Sequence, residues 1–192
     1  MVVNGPRTVP IYQVDAFTDV PFRGNPAAVC LMDDEMDDPT LQAIAAENNL
    51  SETAFLSSVG GGPFEEAEEF HLRWFTPVNE VPLCGHATLA TSAVLFDALG
   101  YPRDEVTFSS LSGPLRARRR PDGILLDFPA DSVAPFDPPA GLLGALGLDD
   151  AEEVLYAERG KDVLVRVQSA MTVRQLEPDF RALVESTRGT EI

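Results

Sequence analysis

Cys84-Gly85-His86 places a thiol and an imidazole within three residues of each other. The preceding stretch, Arg73-Trp74-Phe75-Thr76-Pro77-Val78-Asn79-Glu80-Val81-Pro82-Leu83, reads as a strand stopped by a proline and then a short loop. From Ala87-Thr88 onward the chain reads as a helix. Cys84, Gly85 and His86 therefore open a helix, where backbone N–H groups are unpaired and the macrodipole is positive. Such a position can hold an anion and can favour a thiolate. His71 and His86 are the only histidines in the chain, so an imidazole placed there stands out. Glu52, in Leu50-Ser51-Glu52-Thr53-Ala54-Phe55, lies where a helix gives way to a strand. It is either a solvated loop residue or a general acid/base held at a strand mouth.

The other chemistry-bearing residues also carry two readings each. His86 is a helix cap bonded to backbone, or a donor that orients a substrate or shares a proton with Glu52. Cys84 is a small buried hydrophobe or a reactive thiol. Asn25, in Gly24-Asn25-Pro26, is a turn residue by pattern. Ser51 lacks the Gly-x-Ser-x-Gly surroundings of a nucleophile elbow. Cys84 and His86 offer two ligands with no second Cys-x-x-Cys or His pair after them, so no metal is expected. Phe70, Trp74 and Phe75 read as core.

The elements that must position these residues come from periodicity. Ile11 to Phe17 reads as a strand, and Thr18 to Pro26 as a loop punctuated by Pro21, Gly24 and Pro26. Ala27 to Met32 is a continuous apolar run, a buried strand. Asp38-Pro39 reads as a helix start with Asp38 as cap, and Leu41, Ile44 and Ala45 give that helix one apolar face to about Asn48. Thr53 to Ser57 reads as a strand and Gly60-Gly61-Gly62-Pro63 as a turn. Phe70, Leu72 and Trp74 alternate with His71, Arg73 and Phe75, so one face of that strand is core. His86 to Leu99 is apolar nearly all round, the mark of a buried helix, which requires sheet wrapped about it. Val106 to Ser109, Pro114 to Arg119 and Ile124 to Phe128 read as further strands. Residues 1 to 8 carry no period and are expected to fray.

This gives an α+β domain over residues 1–130, with mixed, mostly antiparallel sheet around a central helix. A Pro-rich linker is expected over 131–139. Residues 140–192 then read as the incomplete start of a second, similar domain, with a helix near Leu142 to Leu146, a strand near Asp162 to Val167 and a helix from about Asp179 to Glu185. Ser186 onward looks like entry into a strand that is cut off.

Composition narrows the function classes. The chain has 192 residues, 44% of them apolar, enough for one ordinary domain or one domain plus part of another. Its formal net charge of -17 opposes binding to nucleic acid or to anionic membranes. The basic cluster Arg116, Arg118, Arg119 and Arg120 reads as an exposed strand face before a turn. A small anionic substrate is compatible with this charge if local donors such as helix N-termini receive it. Cys30 and Cys84 do not make a disulfide framework. No segment approaches the roughly 20 apolar residues of a membrane span, and the N-terminus shows no signal-peptide core, so a cytoplasmic protein is expected.

Taken together and in order, Asp15-Ala16-Phe17, Gly24-Asn25-Pro26-Ala27-Ala28-Val29, Leu50-Ser51-Glu52-Thr53-Ala54-Phe55 and Arg73 to Thr88 resemble the PhzF-like family, relatives of the phenazine-biosynthesis isomerase. The resemblance is strong over about residues 9 to 130 and looser to about 185. It implies the diaminopimelate epimerase fold, two similar domains each wrapping sheet around a central helix, with the active site in the cleft between them. It implies a cofactor-independent isomerase or epimerase in a biosynthetic process, and a homodimer as the oligomeric state. On this resemblance Glu52 is the proton-shuttling acid/base and His86 its partner in the substrate pocket. Asn25 lies near the substrate, and Gly85 with the following helix N-terminus holds a substrate carboxylate. Cys84 matches the place where related epimerases and proline racemases keep one of two catalytic thiols. Family members are longer, and their second domain carries an Asp and a Thr-Gly-Ser-type motif facing the glutamate. Neither is found here, so the 192 residues are expected to hold half of an active site. Two other readings stand beside the isomerase: a two-thiol racemase that uses Cys84, and a non-catalytic module that binds a small anion or a partner protein.

Overall fold

The structure, a computed structural model, describes residues 8–190 and residue 192. The fraying expected over residues 1 to 8 falls, save for the last of them, outside the described residues. The chain divides into two compact units, Met1–Phe128 and Pro129–Ile192.

The first unit runs β1 (Ile11–Ala16), β2 (Asn25–Met32), α1 (Asp38–Asn48), β3 (Glu52–Ser58), β4 (Glu69–Phe75), β5 (Glu80–Val81), α2 (Gly85–Ala93), a π-helical turn (Val94–Ala98), β6 (Glu105–Ser110), β7 (Gly113–Arg120) and β8 (Gly123–Asp127). Its eight strands form one sheet in the order β1-β2-β3-β4-β6-β7-β8, with β5 paired to β4. Only β2–β3 and β4–β6 are parallel, and the remaining pairs are antiparallel. The two parallel pairs are the two that a helix connects, because a parallel neighbour requires a crossover. α1 lies between β2 and β3 in the chain, and α2 between β4 and β6.

Strand alternation sends two different sets of side chains to the two faces. Ala27, Val29 and Leu31 of β2, Ala54 and Leu56 of β3, and Phe70, Leu72 and Trp74 of β4 face α2. Val106, Phe108, Leu115 and Ala117 complete the ring around Ala87, Ala90, Val94, Leu95 and Phe96. The sheet is therefore curled about one buried helix, as its all-round apolar pattern requires. Thr88, Thr91 and Ser92 are buried in that helix too, each hydroxyl donating to the carbonyl four residues back at 2.6–2.7 Å. Backbone acceptors within the helix thus let small polar residues enter the core without an orphaned group. On the opposite face, Cys30, Met32, Phe55 and Phe75 pack on Leu41 and Ala45 of α1.

Local chemistry sets the element ends. The cap of α1 is Asp37, not Asp38: the Asp37 carboxylate accepts from the Thr40 N–H at 3.0 Å. Both residues are aspartates before Pro39, and the hydrogen bond selects the first. Asn49 closes the helix in the left-handed region, at φ 51°. Gly24 is required by close approach, since a Cβ there would stand 2.3 Å from the Ala16 carbonyl oxygen. The π-helical turn ends with the Leu99 N–H donating to Val94 O at 2.9 Å. Arg119 donates to Phe96 O and Tyr101 O at 3.0 and 3.1 Å, and its guanidinium lies 4.9 Å from the Phe96 ring centroid. One residue of the expected exposed basic face thus finishes the buried helix, and Arg118 pairs with Glu105.

The second unit holds β9 (Val133–Pro135), α3 (Leu142–Ala145), β10 (Glu153–Ala157), β11 (Asp162–Arg166), α4 (Ala170–Arg174) and α5 (Phe180–Thr187), with an antiparallel sheet in the order β11-β10-β9. The stretch expected as a linker over 131–139 contributes β9, whose proline sits at a sheet edge where a missing N–H is tolerated. Ser186 and Thr187 end α5 rather than enter a strand, with both hydroxyls donating to Leu183 O. Among the described residues, no helix is long and apolar enough to cross a membrane.

Because α2 and the turn that continues it carry the core of the first unit, Leu95→Ala is expected to lower its stability by about 2–5 kcal/mol, the usual cost of emptying a fully buried leucine site. Phe22→Ala, at a ring that is 95% exposed, is expected to change stability by less than about 0.5 kcal/mol. Urea unfolding of the two variants measures both, and equal midpoints would disprove the central role given to the helix.

Candidate functional site

Glu52 is the first residue of β3, where the chain leaves α1 through Asn48 and Asn49. The Asn48 side chain donates to Thr53 Oγ1 at 3.2 Å and pins the turn. In register, Glu52 is paired with Ala27, and Ala54 and Leu56 share its face, so its side chain is on the α2 side of the sheet. α2 begins at Gly85, with Cys84 as its cap residue in extended conformation, and His86 lies in its first turn. Enclosing α2 therefore carries His86 to the strand end where Glu52 stands. His86 Nε2 and Glu52 Oε2 are 3.2 Å apart, at 9% and 20% side-chain exposure. On the ring's other nitrogen, Nδ1 is 3.4 Å from Cys84 Sγ. Thiol, imidazole and carboxylate thus form one compact cluster, with an atom of each within 4.8 Å of the others.

The pair is close but not satisfied. Glu52 Oε2 and His86 Nε2 are both buried, and among the described residues neither has an aligned hydrogen-bond partner. The 3.2 Å separation lies within hydrogen-bond distance, but the ring N–H direction misses the oxygen, and strength falls steeply with angle. An unpaired buried polar group costs about 1–3 kcal/mol, so two side by side in one place call for a functional reason. Trp74 Nε1 is a third buried polar atom without a partner, on the same face of the sheet. Strand alternation marks Trp74 as core, which it is, and no sequence signal marks its unpaired N–H.

Burial dominates the thiols. The Cys84 thiol is pushed up to about 11, chiefly by desolvation and to a smaller degree by the Glu52 carboxylate. The amides of Ala87 and His86 pull it down, but they are not aligned well enough to make the sulfur a hydrogen-bonded cap. The thiolate expected from a helix start is therefore not favoured. Cys30 is pushed up to about 12 by desolvation and belongs to the opposite face, against α1. The two cysteines are free and lie on opposite sides of the sheet, which removes Cys30 as a second thiol for this site.

The ligating atoms of Glu52, Cys84 and His86 lie within 4.8 Å of one another, and so could be asked to hold a metal. The imidazole, however, turns Nδ1 to the sulfur and Nε2 to the carboxylate. Among the described residues no fourth His, Cys, Asp or Glu joins these three.

Gly85 opens the first turn of α2 with space around it. A Cβ there would meet only the Phe128 ring at 3.7 Å, ordinary contact. Asn25 starts β2, exposed, two residues before Ala27 and so on the same face as Glu52. Among the described residues no hydrogen bond joins it to Glu52 or His86. The loop before it holds Phe17 and Phe22 at φ 65°, a costly conformation for an aromatic residue, at the same end of the sheet. A groove of about 320 Å³ lies elsewhere, lined by Phe55, Ser57, His71 and Arg73 among others, and contains none of these residues. Arg73 there is held by Asp38 at 2.9 Å and by both Glu80 oxygens at 2.7 and 2.8 Å, so its charge is already matched. Neither Glu52 nor His86, with their unpaired buried atoms, lines that groove.

Known proteins resemble the chain over most of its length. Residues 14–192 match the family model described as phenazine biosynthesis-like protein. An uncharacterized isomerase of Pseudomonas aeruginosa is 50% identical over 173 residues, 90% of this chain and 62% of the relative. A human phenazine biosynthesis-like domain-containing protein is 46% identical over 173 residues, 88% of this chain and 60% of the relative. The crystal structure of a PhzF-family protein from Enterococcus faecalis superposes with a TM-score of 0.77 at 39% identity, over 91% of this chain and 63% of that one. One from Bacillus anthracis gives a TM-score of 0.75 at 25% identity, over 96% of this chain and 65% of that one. The chain thus spans about three-fifths of the length of the curated relatives it matches. With a curled sheet around one buried helix, four motifs in order and a match that begins in β1, the chain belongs to the phenazine biosynthesis-like, PhzF, family.

Proposed function

We propose that this chain serves a cofactor-independent isomerase or epimerase that moves a proton on a small carboxylate-bearing substrate, with Glu52 as the acid/base. The observation that carries the reading is the unpaired pair: a carboxylate oxygen and an imidazole nitrogen, both buried, 3.2 Å apart and out of line with each other. A base must reach a C–H and return the proton, and catalytic hydrogen bonds are often long or poorly aligned until substrate is bound. His86 stabilises the negative charge that develops when the proton leaves. The substrate carboxylate rests on the first-turn amides of α2, where Gly85 keeps the approach open and the macrodipole favours an anion. Asn25, on the same face at the adjoining strand end, is a polar contact for the substrate. The Pseudomonas aeruginosa relative bears the name of an isomerase, which supports the reaction class.

The two-thiol alternative is disfavoured by Cys84 itself. A thiol held near 11 is a poor base at neutral pH, and the other cysteine of the chain faces away.

Glu52→Gln is expected to lower solvent-hydrogen exchange at the acidic C–H of a carboxylate substrate by about 10²–10⁴-fold, the usual contribution of a general base. Incorporation of deuterium from D₂O, followed by NMR over a panel of small carboxylates, is the measurement; exchange that survives undiminished would remove Glu52 from the role. Gly85→Ala is expected to leave thermal unfolding unchanged or slightly raised, since alanine fits the space and suits a helix better, while binding of a small carboxylate weakens about tenfold or more, ~1.4 kcal/mol. Calorimetric titration with the carboxylate, beside a melting curve, separates the two effects. With its thiol held near 11, Cys84 presents about one thiolate in a thousand at pH 8, so iodoacetamide is expected to modify it slowly until the pH approaches 11. Fast alkylation near neutrality, read by mass spectrometry of the Cys84 peptide, would reopen the thiol reading.

A further inference from the structure

The acid/base reading uses Glu52 and His86 and gives the Cys84 thiol no task, yet that thiol is buried against the imidazole. We propose that Cys84 is a positioning residue: its S–H, 3.4 Å from His86 Nδ1, holds the imidazole in the tautomer whose proton sits on Nε2. A neutral imidazole has one N–H and one lone pair, and the partner of one nitrogen decides the state of the other. A protonated thiol has a hydrogen to donate, and sulfur accepts weakly. The S–H faces Nδ1 at 3.4 Å and supplies a hydrogen where sulfur's lone pairs are weak acceptors, which assigns Nδ1 as the acceptor and Nε2 as the protonated nitrogen.

That proton then faces the Glu52 carboxylate at 3.2 Å while pointing off the line to it. The site thereby presents two distinct groups at one spot: an acceptor on Glu52 and a directed donor on His86. The opposite tautomer would turn a lone pair toward Glu52 and leave two acceptors facing each other, with nothing to steady an oxyanion. Cys84 acts through His86: among the described residues its sulfur is within hydrogen-bond reach of the imidazole and makes no hydrogen bond to the carboxylate, although the three groups cluster within 4.8 Å. It is fixed in place by the cap of α2: its carbonyl accepts from the Thr88 hydroxyl at 2.6 Å and the Thr88 N–H at 3.3 Å. The consequence for catalysis rests on the acid/base reading above; the tautomer does not.

Long-range ¹H–¹⁵N correlation spectra of the uniformly ¹⁵N-labelled chain at neutral pH read the tautomer with no substrate present. His86 is expected to show an unprotonated Nδ1 and a protonated Nε2, and Cys84→Ser, which keeps a donor, is expected to preserve that pattern. Cys84→Ala is expected to raise the Nδ1–H fraction at least threefold, while exposed His71 stays unchanged as an internal reference. A parent spectrum with Nδ1–H as the major form overturns the proposal, whether or not the alanine variant folds. So does an unchanged His86 pattern in a folded Cys84→Ala protein. If Glu52→Gln leaves hydrogen exchange intact while the parent shows Nε2–H, the acid/base reading fails and the tautomer assignment stands. If Glu52→Gln abolishes exchange while the parent shows Nδ1–H, the tautomer assignment fails and the acid/base reading stands.

Discussion

A helix with no polar side must be enclosed, and almost everything in the first unit stems from enclosing α2. Ala87, Ala90, Val94, Leu95 and Phe96 face several directions, and strands β2, β3, β4, β6 and β7 each contribute residues to the layer around them. Fully burying one leucine or phenylalanine side chain contributes about 1.5–3 kcal/mol, so this shell is the main source of stability. The same enclosure decides where the helix starts. Its first turn must come up against the strand ends, and Cys84, Gly85 and His86 sit at that start. Packing, and not any direct bond between the two, brings His86 to Glu52.

A site built this way is costly. Two buried polar atoms without aligned partners cost on the order of 2–6 kcal/mol together, from about 1–3 kcal/mol each. The core around α2 offsets that cost and also prevents relaxation, because neither β3 nor α2 can shift without breaking contacts along its length. A solvent-exposed pair with the same separation would swing into a hydrogen bond and lose its poise. Rigidity at the helix thus holds the two groups close and out of line at its end, which is what the proposed acid/base reading requires.

The sequence disclosed these residues unevenly, for physical reasons. Period-two alternation in Phe70, Leu72 and Trp74 and the all-apolar run after His86 are produced by burial, so burial could be read back from them. Glu52, Cys84 and His86 were legible as chemistry-bearing types at element ends, and Glu52 and His86 were tied together by the motif order of a family. The strands β5 and β10 and the helix α4 left no such trace. β5 is two residues long, and Glu153-Val154-Leu155-Tyr156-Ala157 of β10 has neither alternation nor a turn on both sides. The prolines of 131–139 suggested a linker because proline interrupts a central strand; at an edge it does not. Choosing between Asp37 and Asp38 as the cap of α1 depended on one hydrogen bond, which composition cannot supply.

The state of the thiol was the least legible property, and it is the one that sorts the mechanisms. A helix N-terminus argues for a thiolate, while a dry neighbourhood argues against it. The position alone gives both effects, and only their balance in three dimensions decides. Cys30 and Cys84 make the comparison directly. The first lies within a strand and is held at about 12; the second has amides of α2 pulling it down and is still held at about 11. The helix start therefore recovers only part of what burial imposes, and the nearby Glu52 charge adds to the burial side. On the acid/base reading proposed for Glu52, burial works in its favour by holding the neighbouring thiol in its protonated form and so removing the competing nucleophile.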